Sequence, residues 1–472
     1  MPLRPLREGR DVDATDLARL QFASTSIYHF LFVPVTIGLA LLIAIVHTQW
    51  YRSKEIRYER LTRFFGTLLL INVAVGVVTG LVQEFQFGMN WSAYSVFVGD
   101  VFGAPLAMEG LAAFFLESTF LGLWVFGWKV LPRGIHLLSA WLVAAGAMLS
   151  AAFIMAANSW MQHPVGYTTD AVTGRAVLTS IGDLFTNPVF VWGYIHVILA
   201  SLVTGAVVML AVSAWQLRRG KGAFKTSAVL SLVVLLPASA LALGVGSHLG
   251  VLETTYQPMK IAAAEGQWET CQPCSFSLIQ IGGFTSSDEE PVKILQVPHL
   301  LSLLATGTWD GEVVGLNELQ AQDEAQFGEG DYVPDVAIQY WSMRVMAYLG
   351  TLFFLFSAWG VWLAVRRKLP SARTFLFVAT WAVPLLFVMN TAGWMLTESG
   401  RQPWIVQGLM KTADGVSATV SSTEILLSIS AFTAIYLLLI VLDATLIMRF
   451  ARRDLDAPEP ASQDRGAPAL TY

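Results

Sequence analysis

Nine long apolar runs divide the chain, near 25–47, 64–83, 103–127, 135–158, 189–215, 226–247, 338–365, 374–396 and 424–448. Each is long enough to cross the roughly 30 Å of bilayer hydrocarbon as an α-helix. The pattern predicts an all-α, polytopic membrane helical bundle of about nine transmembrane helices. The first run is too long for the apolar core of a signal peptide. Asp11, Asp13 and Asp16 precede it and no small-residue cleavage pattern follows, so it reads as a retained helix. The expected organisation is helices one to six within 1–247, an extramembrane connection over 248–337, helices seven to nine within 338–453, and a disordered tail over 454–472, rich in Ala and Pro.

The connections alternate in charge. Arg52, Lys54, Arg57, Arg60 and Arg63 follow the first run, Lys129 and Arg133 the third, and Arg218, Arg219, Lys221 and Lys225 the fifth. Arg366, Arg367, Lys368 and Arg373 follow the seventh, and Arg449, Arg452 and Arg453 the ninth. The remaining connections are poor in Lys and Arg. The positive-inside rule then predicts an N-terminus outside and a C-terminus in the cytoplasm. Arg4, Arg7, Arg10 and Arg19 of the N-terminal tail pull weakly the other way.

Composition agrees with the pattern: 55% of the 472 residues are hydrophobic and 13% charged, with a net charge of -5. No basic domain or nucleic-acid motif is present, so no nucleic-acid partner is expected. No Walker motif points to ATP. The connection over 248–337 is acidic, with Lys260 and Lys293 its two lysines. Its first part predicts a short helix from Pro258 to Glu265. Lys260 and Glu265 are five apart, not an ideal helical pair, yet able to approach one bound molecule together. The same connection holds the only cysteines, Cys271 and Cys274. This CxxC spacing is open to a disulfide, free thiols, redox exchange or, least of all, zinc.

Ionisable and sulfur side chains inside apolar runs carry the candidate chemistry. His29 and His196 need a partner in hydrocarbon, either a buried hydrogen bond or a metal such as haem iron. Glu109 and Glu117 share one run, eight residues and about 12 Å apart on an ideal helix, with directions differing by roughly 80°. Two such carboxylates suit a proton relay or a cofactor approach, against a plain helix–helix hydrogen bond. Met346 is packing unless it lies opposite a histidine such as His196. Arg344 has no acidic neighbour on its own helix, and haem propionates are natural partners for it. Trp394 and Glu398 lie four apart, and Arg401 follows Gly400, where that helix is expected to end. This group fits an aromatic belt with a salt bridge, or a holder for a porphyrin or quinone. From chemistry alone two classes remain open: a haem redox protein, and a haem-free ion or solute transporter with buried carboxylates. A structural membrane subunit explains the buried ionisable groups least.

Several longer motifs narrow the choice. RLQFASTSIYHFLFVP, GLVQEFQFGMNWSAYSVFVGDVFGAPLAMEGLAAFFLEST, NPVFVWGYIHV, MKIAAAEGQWET, RVMAYLG and GWMLTESGRQPW occur in order between about Leu17 and Arg452. The chain resembles subunit I of the cytochrome bd-type ubiquinol oxidases, in the branch with a short outer loop, the Q-loop.

The resemblance implies a terminal quinol oxidase of a bacterial respiratory chain, multi-pass in the cytoplasmic (inner) membrane. It implies oxidation of ubiquinol or menaquinol at the outer face. Oxygen is then reduced to water with cytoplasmic protons, which builds a proton motive force without pumping. His196 and Met346 match the axial pair of haem b558, with Arg344 beside it. His29 matches the ligand of one high-spin haem, with Glu109 nearby; Glu398 matches the ligand of the other, with Trp394 against the pair. Haem b595 and haem d share these two positions in an order that varies, and some members carry haem b in place of haem d. Glu117 matches a carboxylate on the proton route, Lys260 and Glu265 match quinol-oxidising residues, and Arg401 falls in the GRQPW element. The implied partners are subunit II, with room for small single-span subunits, together with quinol, oxygen and the lipid bilayer. The CQPC element lies outside the family's core pattern.

Overall fold

The computed structural model describes residues 14–455. Arg4, Arg7, Arg10, Asp11 and Asp13, and the tail beyond 455, lie outside the described residues. Long apolar segments satisfy their backbone groups internally as helices, the solution that hydrocarbon imposes. These are α1 (Ala14–Ser53), α2 (Ile56–Met89), α3 (Ser92–Met108), α4 (Phe115–Phe126) and α5 (Arg133–Gln162), then a short hairpin of β1 (Tyr167–Thr169) and β2 (Ala176–Leu178). After the short α6 (Ile181–Thr186) come α7 (Pro188–Arg218) and α8 (Lys225–Tyr256).

The long connection expected to be the outer loop follows. It contains α9 (Pro258–Glu265), a hairpin of β3 (Phe276–Ile281) and β4 (Val292–Val297), α10 (Leu300–Thr306) and α11 (Leu316–Phe327). The chain re-enters as α12 (Val336–Val365), α13 (Arg373–Thr380) and α14 (Val383–Ser399). A hairpin of β5 (Trp404–Val406) and β6 (Met410–Lys411), the single turn α15 (Thr412–Gly415) and α16 (Ser422–Ala451) complete the fold.

Among the described residues, eight helices are long and apolar enough to span, and the pair α13 and α14, bent by 48°, makes up to nine. The expected number of crossings is met. Three departures from the hydropathy runs bear on the site. α2 continues to Met89, past the expected end at 83, and so takes Glu84 into the helix. α8 continues to Tyr256 rather than stopping near 247. The third span is one rod, Ser92–Lys129, with a π-helical turn at Glu109–Phe114. That turn adds a residue to the helical repeat, so the ideal angle between Glu109 and Glu117 does not hold.

Nine crossings place the arginine- and lysine-rich connections on one face and the outer loop on the other. On the basic face Gln216, ending α7, donates to the carbonyls of Ala451 (2.7 Å) and Arg453 (2.8 Å) at the end of α16. On the opposite face Gln257 Nε2 donates to the Gln162 carbonyl (2.9 Å), and the amide of Gln407 to the Met161 carbonyl (2.9 Å).

Between the faces the core is built by close approach. α1 and α7 cross at Gly38 and Gly205, where a Cβ on Gly205 would lie 2.6 Å from Gly38 Cα. Glycine there lets the backbones touch, which drives helix association where apolar burial cannot. Asn72 of α2 ties into α1 through the Phe32 carbonyl (3.0 Å) and Thr36 (2.8 Å).

The outer loop is packed, not draped. α9 starts at Pro258 and ends at Gly266, whose φ of 61° suits glycine, and it is buried along its length. Cys271 and Cys274 form a disulfide, which settles the choice left open by their spacing. Cys274 packs with Ile261 of α9 and with Leu301 of α10.

Candidate functional site

His29 sits on α1 against α2. Its Nδ1 lies 2.9 Å from Thr79 Oγ1, and that hydroxyl donates to the Gly76 carbonyl (2.9 Å). The hydroxyl proton is committed, so Nδ1–H donates to Thr79 and the Nε2 lone pair is left free. This is the tautomer that a metal requires. Gly80 brings the α2 backbone against the ring: a Cβ there would stand 3.1 Å from His29 Cε1.

A line of carboxylates lies on α2 and on the third span. Glu109 accepts from Ser150 Oγ of α5 at 2.6 Å, and Glu84 and Glu117 are both within its electrostatic reach. Gly146 of α5 abuts Glu117, where a Cβ would be 2.9 Å from the Glu117 amide nitrogen. Glu84 is missing from the sequence reading because Gln83, Glu84 and Gln86 end the apolar run while the helix runs on.

His196 of α7 and Met346 of α12 flank one stretch of α8. The Nδ1 edge of His196 is turned toward the Ala242 carbonyl, without good hydrogen-bond geometry, and a Cβ on Gly246 would sit 3.2 Å from its Cε1. Leu243, on the same stretch, faces Gly350, one turn from Met346. The Met346 sulfur rests against α14, where a Cβ on Gly393 would lie 3.0 Å away.

Arg344 finds its acid in the outer loop. Its Nη2 donates to Glu265 Oε2 (2.8 Å) and to the Ser277 carbonyl (3.0 Å), and its Nη1 to the Ala264 carbonyl (2.8 Å). The guanidinium stacks over Tyr340 (4.1 Å) and Phe276 (4.7 Å), and Nε is buried without a partner. Burial pushes the Glu265 carboxyl above the ordinary glutamate range, with Arg344 pulling the other way.

Lys260 faces elsewhere. Its Nζ donates to Glu253 Oε2 (2.8 Å) and to Gln162 Oε1 (2.9 Å), and burial pushes its ammonium below the ordinary lysine range against the pull of Glu253. Lys260 and Glu265 therefore have separate partners and are not held on one point. They are 3% and 7% exposed, which excludes their being ornaments of a solvated cap. Lys260 also touches the C-terminal end of α14: a Cβ on Gly400 would lie 2.5 Å from Lys260 Cγ.

That end is built around Glu398. α14 stops at Gly400 as the sequence suggests, and Trp394 lies one turn before Glu398. Glu398 Oε1 accepts from Asn158 Nδ2 of α5 (2.6 Å), and its Oε2 from Arg401 Nη2 (2.7 Å). Arg401 is 3% exposed, and its Nε and Nη1 are buried with no partner. Asn158 escaped the sequence reading, since a pair 240 positions apart leaves no spacing signal.

The surroundings fit haem. The donors include imidazole and thioether, both of which haem iron accepts. Both histidines and the methionine lie against glycine, which lets each side chain seat close to a neighbouring helix backbone. Arg344 and Arg401 keep buried guanidinium nitrogens unsatisfied, as a porphyrin's propionates would require.

A helical membrane bundle carrying such a donor set is the class that fold and site define. The family model described as cytochrome bd terminal oxidase subunit I matches residues 17–455, and the chain belongs to that family. It is 45% identical over 445 residues to cytochrome bd ubiquinol oxidase subunit 1 of Bacillus subtilis (strain 168), covering 92% of each chain. It is 38% identical over 500 residues to cytochrome bd-II ubiquinol oxidase subunit 1 of Escherichia coli (strain K12), covering 93% of this chain and 96% of that one. The structure of bd oxidase from Geobacillus thermodenitrificans matches with a TM-score of 0.84 at 30% identity, over 94% of this chain and 99% of the other.

Proposed function

We propose that this chain is the haem-bearing subunit of a bacterial terminal quinol oxidase. In this reading it works with a subunit II in the cytoplasmic membrane, oxidises ubiquinol or menaquinol outside and reduces oxygen to water. The observation that carries the reading is the Arg344–Glu265 pair at 2.8 Å. It joins the outer-loop carboxylate to the helix turn that bears Met346.

The expected holders are His196 and Met346 for the low-spin haem b558, His29 for one high-spin haem and Glu398 for the other, with haem d or haem b beside haem b595. Haem, when bound, carries single electrons from quinol to oxygen. The chain's own groups handle binding and protons. Glu265 takes a hydroxyl proton from quinol, and burial, which raises its affinity for protons above that of an ordinary glutamate, suits it to the role of base. Lys260 steadies negative charge developing on the quinol oxygen. Arg344 holds Glu265 in place and fixes the loop to α12. Arg401 and Asn158 orient Glu398. Trp394, one turn before Glu398 on α14, is the side chain expected against the high-spin pair.

Protons for water enter from the basic face through Glu117 and then Glu109. The N-terminus lies outside and the basic connections lie in the cytoplasm, following the positive-inside rule. Release of protons outside and uptake inside then charges the membrane without a pump.

The test is optical and functional together. The purified complex, given quinol, should show reduction of haem bands and consume oxygen. A colourless protein would return the chain to the transporter class.

A further inference from the structure

At the basic ends of α1, α4 and α5, well away from the haem and quinol residues, lies a buried pair of histidines in an aromatic chamber. His47 is 0% exposed and His136 2%, with ring centroids 4.9 Å apart. Trp50, Trp124 and Trp128 wall them in. Trp124 binds both. Its indole Nε1 donates to His47 Nδ1 (3.2 Å), and its carbonyl accepts from His136 Nε2 (2.7 Å).

Those two bonds fix the protons. An indole N–H only donates, so His47 Nδ1 is an acceptor, and the ring proton sits on Nε2, which is buried without a partner. A carbonyl only accepts, so His136 carries its proton on Nε2 and keeps the Nδ1 lone pair. The pair thus presents one N–H and one lone pair, and only His136 Nδ1 can take a proton without breaking a bond. A second proton on rings this close is opposed by like charge.

We propose that His47 and His136 form a one-proton loading station at the basic-face mouth of the Glu117–Glu109 route, a proposal that rests on the reading of Glu117 given above. The positions support it. Glu117 lies seven residues before Trp124 on α4, about 10 Å deeper along the axis. On α5 one stripe runs His136, Ser139, Val143, Gly146 and Ser150. Gly146 abuts Glu117, and Ser150 is bonded to Glu109. A cavity of about one water's size is bounded by Ala40, Ile43, Leu69, Trp124, Ala140 and Val143, of which Ile43 and Ala140 stand one helical turn from His47 and His136. Its apolar walls keep it dry at rest, so it conducts a proton only while water occupies it.

Toward water, the groups that act on the pair are Glu59 and Arg63 of α2, themselves paired at 3.1 Å, with Arg63 stacked on Trp128 (3.9 Å) and Arg133 over Trp50 (5.7 Å). In the step itself His136 Nδ1 takes one proton from water at the basic face. It passes that proton through transient water to the Glu117 carboxylate and returns to neutral imidazole. No electron moves, and His47 acts as a positioning residue: it accepts from the Trp124 indole, whose carbonyl holds the His136 Nε2–H.

The experiment uses the assembled oxidase in vesicles, comparing parent, His136→Gln, Glu117→Ala and the double variant. The readouts are oxygen reduction across pH, the haem spectrum, and rescue by a small weak acid, acetate, as proton carrier. The expected result is an intact spectrum with turnover at least about tenfold slower in His136→Gln, restored in part by acetate. The double variant should be no slower than Glu117→Ala alone. Parent turnover in His136→Gln beside a slow Glu117→Ala overturns the station and leaves the Glu117 reading standing. A slow His136→Gln beside a normal Glu117→Ala overturns the station too, since its route leads nowhere. Normal turnover in both removes the Glu117 route as well. Slow turnover without rescue by acetate makes the chamber a packing feature and overturns the proposal. Should His136→Gln not assemble, His47→Gln and Trp124→Phe perturb the pair one nitrogen at a time and carry the same expectations.

Discussion

Arg344 on α12 and Glu265 on α9 form a buried ion pair, 2.8 Å from Nη2 to Oε2, across 79 positions of sequence. It fastens the outer loop to the spanning bundle two residues from Met346. Taking away one partner of such a pair strands a buried charge, at about 3–5 kcal/mol. Arg344→Leu should therefore loosen the loop and disturb the low-spin centre together. Proteolysis of the outer loop and the reduced spectrum would both register it; an unchanged pattern in both would remove the pair from its fastening role.

Glu265→Gln keeps the shape and removes the base. Because burial raises the Glu265 proton affinity, quinol-driven activity should fall as pH drops through a value above the ordinary glutamate range. The sign for stability follows from the same shift. A raised folded-state affinity favours the fold at low pH, and that contribution is lost as pH rises through the folded value. Lys260 is the mirror case: its lowered value contributes stability above its unfolded range, lost as pH falls through the folded value. In Glu265→Gln the acid limb of the quinol-driven pH profile should vanish, while oxygen reduction from an artificial donor stays near parent level. Equal loss with both donors would move the defect to the haems.

Met346→Leu retains most of the volume and removes the sulfur. It should abolish the low-spin optical signature and slow quinol-driven turnover. Gly393→Ala is a gentler version, since its Cβ would press on the Met346 sulfur at 3.0 Å. It should shift that signature without deleting it. A spectrum identical to the parent in Met346→Leu would exclude Met346 as a ligand.

Much of this was legible in the sequence, for physical reasons. Apolar length alone located the spans, because hydrocarbon tolerates few alternatives to a helix. Pro258 and the αL glycine Gly266 mark the ends of α9, and Gly400 the end of α14, by local backbone chemistry. What stayed hidden depends on partners far along the chain. Glu265 as the acid for Arg344, and Asn158 as the donor to Glu398, follow from packing that no spacing encodes. Glu84 was lost for another reason: hydropathy ends where polar residues begin, whereas the hydrogen-bonded helix runs to Met89. The π-turn at Glu109 has no hydropathy signature, yet it resets the direction of Glu117.

The disulfide Cys271–Cys274 packs under α9 through Ile261. A loop this short contributes about 2 kcal/mol in a chain-entropy estimate. Cys271→Ser with Cys274→Ser should raise the KM for quinol several-fold and leave the haem spectrum intact. A changed spectrum with unchanged KM would place the disulfide's influence in the bundle instead.

Reporter fusions after Arg218 and near Glu290 test the orientation across the membrane. The first should read cytoplasm and the second exterior, as the basic face and the outer loop require. The same compartment for both would contradict nine crossings, and a reversed pair would turn the whole scheme of proton release and uptake around.

The central claim is that quinol electrons enter through the outer loop onto haem held by His196 and Met346 and leave to oxygen at the site of His29 and Glu398. The most direct measurement is the quinol-reduced minus oxidised spectrum of the purified complex, parent beside Met346→Leu, followed by admission of oxygen. The account predicts low-spin and high-spin bands in the parent that quinol reduces and oxygen reoxidises. In the variant it predicts loss of the low-spin band and slow reduction of the rest. A parent without haem bands, or a variant that quinol reduces as fast as the parent with the low-spin band intact, would contradict it.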